Sequence, residues 1–273
     1  MIMRYLSLYG LFFFLIHGNT LCAQSDHDSR WLAAADATNP LAFVTKIQGE
    51  PGFSWKDRGA RKINLTSRLI QPSASVGLPF IRSKNPDHVY TVYRLEAFII
   101  GQSFPETPQL DAVGLSDLIL NDIVVFNRSW GLVGVGPGLI IPTMRPEAIS
   151  GGKWSVGPSG VLLITKTKGF SWGVMAQQYF SFGGDDDRPS QNFMLLQPMI
   201  NKLLGGGKFL SLNSTFKLDW ENAAHSIPIG VNFGKAFARN LSLLFGPEYV
   251  VHGPNEGDFT FRFQINAMFP TDN

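Results

Sequence analysis

The stretch from Asp258 to Phe269 alternates without a break. Phe259, Phe261, Phe263, Ile265, Ala267 and Phe269 take one parity; Asp258, Thr260, Arg262, Gln264 and Asn266 take the other. Successive side chains of a strand point to opposite faces, so this pattern describes one strand between two different surroundings. Residues 62–70 repeat it, with Ile63, Leu65 and Leu69 opposite Lys62, Asn64, Thr66 and Arg68. So do residues 209–219, where Leu210, Leu212, Phe216 and Leu218 oppose Ser211, Asn213, Thr215, Lys217 and Asp219. In residues 227–237, Ile227, Ile229, Val231, Phe233 and Phe237 share a face, with Lys235 among them. A lysine on an apolar face belongs near a boundary, where its ammonium can reach water.

Weaker segments of the same kind are residues 41–48, 88–100, 116–127, 130–141, 154–166, 170–182, 191–202 and 241–251. With residues 259–269 they make twelve strands, or ten if the weakest fail; residues 62–70 have room to run on through Pro72 to Ile81. The connections alternate in length. Residues 49–61, 101–115, 142–153, 183–190, 221–226 and 252–257 are long, whereas 83–87, 127–129, 167–169, 203–207 and 239–240 are short. Outer-membrane barrels have long outer loops and short periplasmic turns. A soluble sandwich, the competing reading of half-buried strands, has no reason to alternate in this way. The expected fold is therefore all-β: an antiparallel transmembrane β-barrel of twelve strands over residues 41–270. An aromatic-rich closing strand ending at Phe269 suits it and is the expected handle for the outer-membrane assembly machinery.

The start of the chain sharpens this reading. Residues 1–23 carry Arg4, no acid, and an apolar run from Leu6 to Ile16, too short for a bilayer span, which reads as a secretory signal cleaved near Ala23. Cys22, the only cysteine, would leave with it, which excludes disulfides and cysteine-based metal sites from the mature chain. No later stretch is long and apolar enough for a membrane helix, so a membrane form must be a closed sheet. The chain has 23 basic and 21 acidic residues, a balance that gives no nucleic-acid surface. Residues 24–40 differ from the rest: 29–38 read as a short helix capped by Ser29 and stopped before Pro40, at the periplasmic mouth or folded into the barrel as a plug. Residues 271–273 are a tail.

Several motifs carry a family resemblance. They are Gly134-Val135-Gly136-Pro137-Gly138 with Pro142-Thr143, and Gly152-Lys153-Trp154-Ser155-Val156-Gly157-Pro158. Phe180-Ser181-Phe182-Gly183-Gly184-Asp185-Asp186-Asp187-Arg188 and Leu196-Gln197-Pro198 follow, then Asp219-Trp220-Glu221, Ile227-Pro228-Ile229-Gly230 and Phe269-Pro270, with Asn39-Pro40 upstream. With these the chain resembles the outer-membrane barrels filed under the meta-pathway of phenol degradation and often labelled neuromedin U or transporter. Gly183, where alanine is common, and the tail depart from the pattern. The resemblance implies an outer-membrane barrel moving hydrophobic or aromatic compounds, and it brings no catalytic residues.

Arg68, Arg94, Glu96, Lys217, Asp219, Arg262 and Gln264 are the candidate lumen residues. They either line a polar pore or pair with one another and fill a narrow barrel. Asp185, Asp186, Asp187 and Arg188 form an acidic outer-loop cluster, open to a calcium role, to bridging lipopolysaccharide phosphates through divalent ions, to pairing with basic residues inside the barrel mouth, or to plain solvation. Trp130, Trp154, Trp172 and Trp220 sit near strand ends as an interfacial girdle. No cofactor is implied. His225 and Ser226 are adjacent, so a strand points them apart, and His252 has no evident nucleophile nearby. The expected function is passive transport of a small solute across the outer membrane. A structural or adhesive barrel with a filled lumen is the alternative, and a membrane lipid hydrolase the third.

Overall fold

The computed structural model describes residues 23–56, 59–143, 148–254 and 256–270. The expected signal up to residue 22, with Cys22, and the tail 271–273 lie outside them. The described residues begin with helix α1 (Ala23–Thr38), followed by β1 (Val44–Trp55) and β2 (Arg61–Ser73). A small hairpin, β3 (Ser75–Val76) and β4 (Leu78–Arg82), precedes β5 (Val89–Ser103), β6 (Ala112–Leu115) and β7 (Leu118–Arg128). Next come β8 (Gly131–Ile141), β9 (Lys153–Ile164), β10 (Phe170–Gly184) and β11 (Asn192–Gly205). Two broken strands, β12 (Lys208–Leu212) with β13 (Phe216–Asp219) and β14 (Ala224–Gly230) with β15 (Asn232–Ala238), lead to β16 (Leu241–His252) and β17 (Phe259–Pro270).

Apart from the β3–β4 hairpin, and with β6–β7, β12–β13 and β14–β15 each counted as one stave, successive staves pair antiparallel; β1 pairs with β17, so the sheet closes on itself as a twelve-stranded barrel. Closure leaves no unpaired edge, which is the condition for a sheet in hydrocarbon. Large apolar side chains stay exposed on the outward parity of every wall: Ile47, Leu65, Leu95, Leu120, Val135, Ile200, Phe245 and Ile265 among them. The inward parity holds the buried polar groups, including Arg94, Glu96, Asn121, Gln177 and Asn266. Among the described residues no helix is long and apolar enough to cross a membrane.

Four boundaries differ from the sequence expectation. β1 does not stop at Gln48: it continues through Gly49, Pro51 and Gly52 to Trp55, held on one side by an unbroken ladder to β2 from Lys46 to Trp55. A proline lacks an N–H to donate, and the ladder to β17 is interrupted at Glu50 and Pro51, where it is least missed. β2 does not run on to Ile81. The chain turns at Gly77 (φ 70°) into the separate β3–β4 hairpin, which lies on the outer face of β5. Thr91 and Tyr93, both of outward parity, hold it: Thr91 Oγ1 donates to Ser75 O at 3.0 Å, and Tyr93 Oη donates to Gly77 O at 2.9 Å. The region expected as the loop 101–115 contains β6, which extends the β7 stave beside β5.

The fourth difference is α1, which starts at Ala23 rather than at a Ser29 cap. Gln24 to Asp28 contains neither proline nor glycine, so nothing halts the helix there. It ends where Pro40 disfavours helical geometry in the residue before it. Its small face, Ala33, Ala34 and Ala37, packs against Phe209, Ala236, Leu244 and Met268 on the inner wall. The helix is thus inside the barrel, at the end of the short turns. Arg239, in the β15–β16 turn, reaches Asp36 at 2.5 Å.

Candidate functional site

At mid-height the inward side chains form a polar belt around the lumen. Glu50 on β1 takes Arg68 Nη1 at 2.7 Å and Arg262 Nη1 at 3.2 Å, and Arg262 Nη2 also bonds Glu248 on β16. Arg68 Nε reaches Glu96 Oε2 at 2.7 Å, and Arg94 Nε lies 3.0 Å from Glu96 Oε1. Across β5 the belt continues through Asn121 on β7, whose Oδ1 accepts Ser159 Oγ at 2.8 Å and Gln177 Nε2 at 2.9 Å. On the other side Gln197 Nε2 donates to Asn213 O, and Asn232 Nδ2 donates to Asn213 Oδ1. β8 contributes Gly138 at this level. A methyl group there would stand 2.8 Å from both Asn121 Oδ1 and Tyr179 Oη, so the belt needs a glycine at that crossing.

Above and below the belt one wall is apolar. Val92, Ile123, Val125, Val161, Leu163 and Met175 form a buried cluster toward the short turns, joined by Leu41 just after α1. Ile119, Ile140, Tyr179 and Phe193 form a second toward the loops. The opposite wall encloses a chamber between the belt and α1, lined by Lys46, Gln48, Asn201, Ser211, Thr215 and Gln264, with Arg68, Arg94 and Arg262 at its upper edge. Lys46 is fully buried and spends its ammonium on the helix end, donating to Asp36 O at 2.9 Å and to Asn39 O. A cation at a helix C-terminus is favourable on dipole grounds as well as by hydrogen bonding. Tyr90 Oη donates to Leu41 O at 2.5 Å and fixes the chain just past the helix.

The structure brings Arg68, Arg94, Glu96 and Arg262 into one network, with Gln264 beside it donating to Asn266 Oδ1 at 2.6 Å. Lys217 and Asp219 stand apart toward the loop end. They pair at 3.6 Å, and the Lys217 ammonium lies over the Phe193 ring. Sequence reasoning missed Glu50, Glu248, Lys46 and Asn121. Glu50 was hidden in a stretch read as loop. The others are polar residues at inward positions of strands, a signal that was available.

The acidic cluster does not gather into a cage. Asp185, Asp186 and Asp187 are exposed along the β10–β11 loop, and Asp185 Oδ1 accepts Asp187 N at 3.0 Å in a local turn. Arg188 turns back to bond Ser150 O at 2.7 Å. Among the described residues no three His, Cys, Asp or Glu side chains converge on a point that could hold a metal. Trp130 and Trp172 sit exposed at the short-turn end, and Trp154 and Trp220 at the loop end. Trp220 donates to Gln178 Oε1 at 3.1 Å and packs edge-on against His225, 5.4 Å between centroids.

No family model and no curated protein matches the chain by sequence. By structure it is similar to an outer-membrane channel from Pseudomonas putida F1, at TM-score 0.65 and 13% identity over 84% of this chain and 96% of that one. It is similar also to the NanC porin, at TM-score 0.54 and 10% identity over 81% and 98% of the two chains. Outer membrane phospholipase A from Escherichia coli follows at TM-score 0.50 and 12% identity over 88% and 98%. At these identities the likeness defines the class of fold: the outer-membrane β-barrel.

Proposed function

We propose that this chain is an outer-membrane channel that passes small solutes through a lumen narrowed by the ionic belt and stoppered from the periplasmic side by α1. The observation that carries the reading is the chamber itself: a polar, cation-edged space between belt and helix, inside a barrel with an apolar exterior. A barrel serving only as a surface anchor has no use for a polar chamber, since burying polar groups is unfavourable unless each is hydrogen-bonded. The two most similar solved structures reported above are named as a channel and a porin, which supports the same reading. The family resemblance adds an apolar or aromatic cargo, and the lumenal wall of Phe98, Ile119, Ile140 and Phe193 is compatible with one. Lipopolysaccharide around the Trp girdle and assembly through β17 complete the proposed setting.

We read the chain as non-enzymatic. His225 packs edge-on against Trp220 at the outer surface, while Ser226 takes the inward parity of β14, a separation that supports this reading. The test of transport is conductance of the refolded mature protein in a planar bilayer. Discrete steps are expected, small for a barrel of this strand number because its interior is occupied by side chains. Protein that shows the heat-modifiable gel mobility of a folded barrel yet never conducts would replace the channel with a filled structural barrel.

A further inference from the structure

We propose that the chamber edge at Arg94 is a binding site for the carboxylate of a small polar solute. This rests on the channel reading and replaces the apolar or aromatic cargo that the family resemblance implies with a polar anion. Arg94 on β5 and Asn121 on β7 are direct cross-strand partners, both inward-facing, 7% and 1% exposed. Each keeps a donor that makes no hydrogen bond within the protein: Arg94 Nε and Asn121 Nδ2. Arg94 Nε is held by charge beside Glu96 Oε1 at 3.0 Å. Arg94 Nη1 has only the thioether of Met175, at 3.1 Å. A guanidinium carries five N–H donors in a fixed fork, and a thioether is a weak acceptor. Glu96 cannot supply more, because its second oxygen is committed to Arg68. Two neighbouring buried groups therefore both keep donor capacity that the protein leaves unfilled, and one of them, Arg94, edges the chamber.

The charges agree. Lys46, Arg68, Arg94 and Arg262 face Glu50, Glu96 and Glu248 in this part of the lumen, one cation in excess. A single excess cation matches a monoanion, and a carboxylate presents two oxygens to the guanidinium fork. The rest of the chamber wall suits a hydroxylated body rather than an aromatic one: Gln197, Asn213, Thr215 and Gln264 all offer hydrogen bonds.

The experiment is calorimetric titration of the refolded full-length mature protein, in detergent, with gluconate and with sorbitol, its neutral counterpart. Gluconate is expected to bind and sorbitol not. Arg94→Gln should weaken gluconate by about tenfold or more, the scale of a lost charge-assisted hydrogen bond. Met175→Gln keeps the charge but gives Arg94 a strong acceptor of its own, and should weaken gluconate by a smaller factor; it serves also if Arg94→Gln does not fold. Arg128→Gln, exposed at a short turn, should leave binding unchanged. Sorbitol binding as well as gluconate, gluconate indifferent to Arg94→Gln and Met175→Gln, or no gluconate binding to the wild-type protein would each overturn the proposal. Conductance separates it from the channel reading. Steps without gluconate binding remove the site and leave the channel, whereas Arg94-dependent binding without steps removes the channel and leaves the site.

Discussion

The two walls of the lumen are built on opposite principles. From β7 to β10 the inward positions toward the short turns include Ile123, Val125, Val161, Leu163 and Met175, a packed apolar core like that of a soluble domain. On β1, β2, β16 and β17 the same parity carries Glu50, Arg68, Glu248 and Arg262, held by ion pairs. The outer face of both walls is mainly apolar. Period-2 alternation therefore has two meanings in one sheet. On the ionic wall it separates polar from apolar. On the packed wall both parities are apolar at many positions, and strands such as β8 read weakly because the contrast is gone. The difference teaches that rigidity and passage are divided between walls: one fills the barrel, and the other leaves a chamber.

The sharpest way to break this division is to remove one charge from the ionic wall. Glu50→Gln keeps shape and hydrogen-bonding reach but leaves Arg68 and Arg262 without their shared carboxylate. With all three side chains at most 16% exposed, the loss should be about 3–5 kcal/mol, as for breaking a buried pair. Urea unfolding of the barrel in vesicles measures it. A loss under ~1 kcal/mol, the scale of a solvated pair, would mean that water floods the belt. On the packed wall Leu163→Ala should cost about 2–5 kcal/mol through the cavity it opens, since Leu163 is 1% exposed. If it proves nearly neutral, that wall is not a core. Val135→Arg tests the outer face of the same wall and should cost about 2–4 kcal/mol in a bilayer near mid-depth, but far less in detergent micelles.

Much of the fold was legible in the sequence, for a physical reason. Each strand meets lipid on one side, and lipid tolerates no polar parity, so Phe259 to Phe269 and Ile63 to Leu69 declare their faces locally. The site was only half legible. Arg68, Arg94, Glu96 and Arg262 could be assigned to the lumen from their own strands. Which of them meet depends on the stagger between strands, as in the β2–β5 register that sets Arg68 beside Glu96. No single strand encodes that. Glu50 was lost because Gly49 and Pro51 resemble a turn, whereas a barrel with β2 and β17 on either side can hold a proline in the ladder. The helix was visible as an alanine run, but the choice between periplasmic mouth and plug stayed open, because alanine is as apt for a solvated helix as for a buried one.

The smallest expected effect falls where the two walls join. Gly138 lies on β8, within the packed wall, yet a methyl group there would meet Asn121 Oδ1 and Tyr179 Oη at 2.8 Å and Ser159 Oγ at 3.0 Å. Gly138→Ala must push the polar belt aside and should cost about 1–3 kcal/mol, the usual range for overpacking. A bare loss of that size would not locate its cause. Tyr179→Phe removes the hydroxyl that the new methyl group would strike, so the two substitutions should couple. In a double-mutant cycle the pair is expected to be less damaging than the sum, by about 0.5–3 kcal/mol, the range seen for residues in contact. Strict additivity would show that the strand tolerates the methyl group by shifting as a whole, and that the belt does not depend on β8. Coupling would show that the glycine is what lets a ring of polar side chains cross an apolar wall.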